Sequence, residues 1–435
     1  MNTGIIDAIL LLNFHFTAFF LRFKDYKSTD MERNIKITKN LAATIDVKIP
    51  IENRKLISER YISNFFFLAF FWILLILGFI LTIDPYRVSP IHIKLPRINS
   101  YKPKRLDIDR LIKPYEVWRY QPKTIFLGTS RIHQSIDPTF LDGTDFAPAY
   151  NAAVPASTLS QNAAFLEEYF QHDKNLHYVF IELFIYNFII PQPEVSKKTF
   201  KHFLETTSAL FVSADALLNS FQTLVFNLSG RPIGPYISPR GNWIRPKNFD
   251  TSATFDHQLY IDTIINIHKS IPDMIIQPSA MDSLNRIVEL CKKHNAKLFM
   301  IITPNYPWDD YRLLSLGYWP LVEEWIKKMS MYDHVLSFSQ YNRLLEEPPN
   351  KKMQWWNDPI HFSDNMGHLM LLSLLGHGTS KIPNNFFRSV TANNYQIVLQ
   401  ERKAGLNAWI RKNRWFAEKF DTTKKIAGNV ERRNV

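Results

Sequence analysis

The 435-residue chain has one cysteine, Cys291, so no internal disulfide can form. That cysteine lies in "IVELCKKHN", on the apolar side of a helical pattern, and reads as structural. No P-loop and no dinucleotide fingerprint occurs, which removes the usual signatures of nucleotide chemistry. Metal-ligand spacing is missing too: His361 and His368 lie seven apart with no third ligand in pattern. There is no internal repeat and no low-complexity tract. Nothing implies a cofactor.

What is present suits a large packed core, with 46% apolar and 21% charged residues. The formal net charge is +12, and it is unevenly placed. Residues 379–435 carry twelve Lys/Arg against four Asp/Glu, and the rest is nearly balanced. This basic tail reads as a helix with Ile397, Leu406, Trp409 and Ile410 apolar. It either binds an anionic polymer or the membrane surface, or packs on the domain with a solvated outer face.

Residues 62–83, "ISNFFFLAFFWILLILGFILTI", hold no charge. At about 1.5 Å per residue this run crosses a hydrocarbon core of roughly 30 Å, so a transmembrane helix is expected. Its place and length do not fit a cleavable signal peptide. Lys48, Arg54, Lys55 and Arg60 precede it; Arg87, Lys94, Arg97, Lys102 and Lys104 follow. Further cations across 21–61 favour a cytoplasmic N-terminal side, which puts the large C-terminal part outside the inner membrane. A second apolar run at 4–20 contains Asp7, Asn13 and His15. It is a marginal second span, an interfacial helix, or the product of a start codon called too early, with Met31 the alternative start. The protein is thus single-pass or two-pass, with the lipid bilayer as its first partner.

The expected organisation is an N-terminal segment 1–61, the span 62–83, an extended connector 84–122, an α/β domain 123–376 and the tail 377–435. Strands are expected at "TIFLG", near 148–152, at 176–184, "AKLFMIITP" and "HVLSFSQ", with helices between them. The helix opening in "STLSQ" has Ser157 or Ser160 as its candidate N-cap, and the helix at 363–375 has Ser363 or Asp364. Residues 195–276 break this rhythm and read as an insertion or lid. Strand–helix alternation predicts a three-layer α/β/α fold with a mostly parallel sheet.

In such a sheet the loops after the strands share one edge. Four loops there carry polar or small residues. "FLGTSR" places Ser130 after the first strand, as an N-cap or as a nucleophile. Asn151 and the stretch Ala152–Ala156 follow the second. Thr303, Pro304 and Asn305 follow "LFMII". The last loop, "WWNDPIHFSDNMG", sets Asp358 and His361 three apart. A serine hydroxyl needs a neighbouring base, histidine titrates near neutrality, and a carboxylate can orient the imidazole. Asp358 and His361 can also be an ordinary turn and a buried or capping histidine.

"FLGTSR", "YNAAVPAS" and "NDPIHFSDNMG", in this order, resemble the three blocks of the SGNH/GDSL hydrolase superfamily. More specifically, the chain looks like its membrane-anchored bacterial members with a G-[ST]-S-R first block, near the alginate O-acetylation and D-alanyl-lipoteichoic acid biosynthesis proteins. The resemblance covers about 120–376 and is weak across 195–276. It implies an SGNH, flavodoxin-like fold and a Ser130–His361–Asp358 triad. It implies an oxyanion hole from backbone N–H groups at Ser130 and near Ala153–Ala156, with Asn151 or Asn305 as the side-chain donor. Departures are plain: Thr129 stands where the family usually has Asp, and Ala153 and Ala156 stand for glycines. A positive φ at Ala156 would put the hole in doubt.

Arg131 either clamps an anionic or hydroxyl-rich substrate or pairs with Glu182 on a neighbouring strand. His133 reads as a surface or helix residue. Trp355 and Trp356 suit sugar faces, or pack. The expected activity is a membrane-anchored, extracytoplasmic serine esterase or O-acyltransferase acting on acyl esters of an envelope or secreted polysaccharide, with a membrane acyl-donor protein as a possible partner and no nucleic acid. The alternative is an inactive SGNH-like module for polysaccharide binding or assembly.

Overall fold

The computed structural model describes residues 51–89, 93–172, 175–191, 210, 213–245, 260–262, 274–348, 353–378 and 380–433. The apolar run at 4–20 and much of the stretch 195–276 lie outside the described residues. The chain divides into two compact units, residues 1–74 and 75–435.

Helix α1, Ile51–Ile83, contains the expected apolar run. It is long and apolar enough over Ile62–Ile83 to cross a membrane. Phe65, Phe66, Phe67 and Trp72 are all more than half exposed. Over this run the helix is apolar on every face and largely uncovered by the described residues. Its C-terminal end is tied off within the second unit. Lys102 donates from Nζ to the Ile83 carbonyl at 2.5 Å, and Asn99 donates to the Thr82 carbonyl at 2.6 Å. A cation there also complements the helix dipole. Lys102 and Arg87 are both buried, so two of the five cations after the apolar run face the protein rather than solvent.

The stretch 84–122 is not the extended connector expected. After a 3₁₀ turn at Pro103–Ile108 it forms helix α2, Asp109–Tyr120. The reason is legible in retrospect. Arg105, Asp109 and Lys113 recur every four residues, so their side chains share one face, and that face is buried.

Strand β1, Thr124–Leu127, starts the central sheet, and helix α3, Ser130–Ser135, follows it. Next come β2, Ala149–Asn151, helix α4, Leu159–His172, and β3, Tyr178–Leu183. After the short helix α5, Tyr186–Ile189, the stretch described within 195–276 holds helix α6, Ala214–Leu228, and a hairpin, β4 Tyr236–Ile237 and β5 Trp243–Ile244. Helix α7, Pro278–Lys293, leads to β6, Lys297–Ile302. Helices α8, Pro307–Ser315, and α9, Trp319–Met329, precede β7, Val335–Ser337. Helix α10, Asp364–Leu374, strand β8, Arg388–Val390, and helices α11, Tyr395–Lys412, and α12, Arg414–Arg433, close the chain.

The six-stranded sheet has the order β2-β1-β3-β6-β7-β8. The first five strands are parallel and β8 is antiparallel to β7. Leaving the hairpin aside, the parallel strands run 2-1-3-4-5, a doubly wound order. Helix α3 packs with α10, and α4 packs with α7. Right-handed crossovers put these pairs on opposite faces. Phe126, Phe180 and Phe299 lie side by side on β1, β3 and β6, their rings stacked 4.8 and 4.7 Å apart. Such a ladder fixes strand register as well as burying area.

The basic tail is part of the domain. Strand β8 was not foreseen, and Arg402 of α11 holds buried Asp310 through bonds of 3.0 and 2.5 Å. The N-cap of α4 also differs from expectation: Thr158, not Ser157 or Ser160, accepts the Gln161 N–H. Ser157 instead donates to the Gly128 carbonyl at 2.6 Å. Ser363 does cap α10.

Candidate functional site

In this strand order the chain reverses direction between β1 and β3, and loops at the carboxyl ends of those strands bound a crevice. Ser130 sits there. Strand β1 is fully buried and ends at Gly128, whose φ is +153°. A Cβ on Gly128 would lie 2.7 Å from Glu182 Cβ and 2.8 Å from Ile132 Cγ1. Only glycine lets the turn press so closely on β3 and α3.

Thr129, rather than Ser130, is the N-cap of α3; its Oγ1 accepts the Arg131 N–H. The alternative in which Ser130 merely caps a helix is therefore not what the structure holds. Ser130 Oγ lies 2.8 Å from His361 Nε2. His361 Nδ1 lies 2.7 Å from Asp358 Oδ2. The same carboxylate accepts the backbone N–H groups of Ile360 and His361 at 2.8 and 2.7 Å. Burial raises the Asp358 pKa, but the hydrogen bonds and charge of His361 outweigh it and leave the carboxyl below its usual value. The three side chains, 231 positions apart at the extremes, form one hydrogen-bonded chain.

Two features hold the His361 loop against α3. Ser135 Oγ donates to the Phe362 carbonyl. Gly367 of α10 lies directly on the Ser135 carbonyl; a Cβ there would come within 2.7 Å of the carbonyl carbon and closer to its oxygen. Trp356 is buried and donates to the Leu344 carbonyl at 3.0 Å, so it packs, while Trp355 is half-buried.

The expected oxyanion and substrate residues are mostly spent on architecture. Asn151 donates to the carbonyls of Ile132 and Ile136 at 2.8 Å each and accepts the Ala153 N–H. It holds α3 and the loop after β2, and both of its N–H groups are engaged. Ala153 is buried, and its carbonyl accepts Lys113 Nζ. Asn305 is held between Arg131 and Asp310. Ala156 is exposed with φ +54°, in the left-handed region that favours glycine. For alanine that costs about 1–2 kcal/mol.

Arg131 is buried and takes the structural alternative. Its Nε lies 3.3 Å from Glu182, its Nη1 donates to Asn305, its Nη2 donates to the Pro304 carbonyl, and its guanidinium lies 4.3 Å over the Phe184 ring. Glu182 also accepts the Thr129 N–H at 2.7 Å, the Thr129 hydroxyl and the Thr303 hydroxyl. This pair joins the loops after β1, β3 and β6, and so positions Ser130 without touching it. The sequence offered Glu182 only as a partner for Arg131; the convergence of three loops on it is a tertiary fact.

His133 is not on the surface. It is buried 3.0 Å from Asp109, in a network with Arg105, Lys113, Glu116 and Tyr150. Burial, with Lys113 beside it, pushes its pKa down to about 4. Lys113 also donates to the Asn151 carbonyl at 3.0 Å, so α2 braces the loop after β2.

Two groups near Asp358 and His361 were not anticipated. Pro359 and Ile360, between them, wall an apolar cavity of about 240 Å³ with Phe184, Ile189 and Leu316. Arg245, after β5, donates to Gln134 of α3 at 2.9 Å and is near enough to feel the charge of Asp358 and Asp364. Among the described residues, no group of three or more His, Cys, Asp or Glu is arranged to hold a metal ion. A scan against protein-family models finds no match to this chain, and no curated protein matches it.

Proposed function

We propose that this chain is a membrane-anchored, extracytoplasmic serine esterase or O-acyltransferase of SGNH type, acting on acyl esters of an envelope or secreted polysaccharide. The observation that carries the reading is the Ser130–His361–Asp358 chain, with contacts of 2.8 and 2.7 Å, at the switch point of a doubly wound sheet. His361 takes the Ser130 proton as Oγ attacks the ester carbonyl. The tetrahedral intermediate collapses to an acyl-enzyme as His361 returns the proton to the departing alcohol. Water or a sugar hydroxyl then accepts the acyl group by the reverse steps, giving hydrolysis or transfer. Asp358 fixes the imidazole and stabilises its charged form. The Ser130 N–H and the exposed Ala156 N–H, neither with a partner among the described residues, are the available oxyanion donors. The apolar cavity beside Pro359 and Ile360 suits the acyl group, and Arg245 suits an anionic or hydroxyl-rich acceptor.

The span at Ile62–Ile83 supports anchoring. Burial of Arg87 and Lys102 lowers the count of surface cations after it and favours a cytoplasmic N-terminal side.

A non-catalytic polysaccharide-binding or assembly role is the second reading. It draws on the left-handed Ala156 and on the engagement of Asn151 and Asn305. Labelling the full chain with a serine-directed fluorophosphonate, beside Ser130→Ala and His361→Gln, separates the two. Rapid labelling of the wild type alone supports the enzyme. A folded wild type that labels no faster than Ser130→Ala refutes it and leaves the binding module.

A further inference from the structure

Helix α6 is amphipathic in the wrong sense for a protein in water. Its inner face is Ala216, Ser220, Thr223 and Asn227, all buried. Its outer face is Leu218, Phe221, Val225 and Leu228, each at least half exposed. Those positions recur at intervals of three and four, so they form one stripe. Two of the polar groups inside are satisfied: Ser220 donates to the Ala216 carbonyl, and Asn227 exchanges hydrogen bonds with the backbone of Tyr101. Apart from Phe79 against Phe221, the stripe is left largely uncovered by the described residues. A water-soluble surface helix would show the reverse arrangement.

The same helix touches the end of the apolar span within one compact unit. Phe221 packs on Phe79, their ring centroids 4.9 Å apart, and Asn219 donates to the Tyr86 hydroxyl at 2.6 Å. Arg97 lies beside Gly230, just past the end of α6, and Arg97, Lys94 and Arg231 are all exposed. Apolar stripe, adjoining span and flanking cations are the parts of a helix lying at a lipid interface, side chains in the acyl region and cations among the phosphates.

We propose that α6 is a membrane-interface helix that seats the domain on the bilayer through Leu218, Phe221, Val225 and Leu228. This rests on the reading of Ile62–Ile83 as a span. The seat is coupled to the candidate site through the hairpin that follows. The Arg240 carbonyl accepts the Asn151 N–H at 2.8 Å, and Gly241 packs against Asn151.

The single native cysteine aids the test. Cys291 is buried, and burial pushes its thiol up to about 12, so it resists labelling. Nitroxides are placed singly at Leu218→Cys, Phe221→Cys, Val225→Cys and Leu228→Cys in the full chain, in nanodiscs of phosphatidylcholine and phosphatidylglycerol. Ile73→Cys serves as the span control and Asp333→Cys as the exposed control. The expected result is collision with oxygen several-fold more frequent than with a water-soluble nickel chelate at all four positions, as at Ile73 and opposite to Asp333. Frequent nickel collision at the four positions with a lipid-like Ile73 overturns the interface helix and leaves the span standing. Shielding from both reagents also overturns it, because a second copy or another protein then covers the stripe. Nickel access at Ile73 itself overturns the span and the proposal together.

Discussion

Replacing Gly367 with alanine sets two effects of opposite sign against each other. Gly367 lies inside α10, where helix propensity alone makes alanine about 1 kcal/mol more stable. The structure requires the opposite. The new Cβ would lie 2.7 Å from the Ser135 carbonyl carbon, where ordinary contact begins at 3.4 Å. The obstacle is backbone and has no rotamer to change. Helices α3 and α10 must part by about 0.7 Å to clear the carbon and about 1.6 Å to clear its oxygen. Overpacking of this kind costs about 1–3 kcal/mol, so the net effect is destabilising despite the propensity gain. Ser130 opens α3 and His361 lies just before α10, so the same separation stretches their 2.8 Å contact. A misplacement near 1 Å costs on the order of 10²-fold in rate. The assays are denaturant unfolding of the full chain and the rate of fluorophosphonate labelling at Ser130. A variant as stable as wild type, labelling at the wild-type rate, would refute the claim that this close approach sets the geometry.

Ala156→Gly removes left-handed strain; it should raise stability by up to about 1 kcal/mol in the same unfolding assay, and a loss would show that the strain argument fails. Arg131→Lys cannot reproduce the three-way contact with Glu182, Asn305 and the Pro304 carbonyl, so it should lose about 3 kcal/mol, and a loss under 0.5 kcal/mol would contradict its positioning role. His133 has a folded pKa near 4 against about 6.5 unfolded, so the unfolded chain takes up its proton first as pH falls. This contribution is intact above about pH 6.5 and declines by about 3 kcal/mol towards pH 4. Unfolding titrations at pH 7 and pH 4.5 should show a steeper acid loss for wild type than for His133→Gln, and parallel losses would count against it.

Much of the architecture is present in local pattern. "TIFL", "YVFIEL" and "KLFMII" are short apolar runs between helical periods, and a parallel sheet buried on both faces needs such strands. That the helix at 62–83 is long and apolar enough to cross a membrane follows from its length and the absence of charge. The D-x-x-H spacing brings Asp358 and His361 together within one loop, since three residues suffice for the side chain to fold back on its own turn. For these features the physical cause is local, and a local sequence expresses it.

Other features depend on what the fold sets opposite each residue. Thr129 rather than Ser130 caps α3 because Glu182, fifty-three positions away, accepts its N–H and hydroxyl. Asn151, Arg131 and His133 look available in sequence, yet α3, Glu182 and Asp109 claim them. The connector becomes a helix because its charges find one another in a buried network. Gly367 reads as an unremarkable helical residue until the Ser135 carbonyl is placed against it. Helix α6 is legible as a helix, but the inversion of its faces is not. Periodicity locates an apolar stripe, and only packing tells whether that stripe looks inward or outward. By itself the sequence determined the five parallel strands, a helix long and apolar enough to cross a membrane, and the Asp358–His361 pair, all governed by neighbours along the chain. The tertiary structure decided which polar groups are spent and which remain for chemistry, because a hydrogen bond between distant residues is made only when the fold has closed.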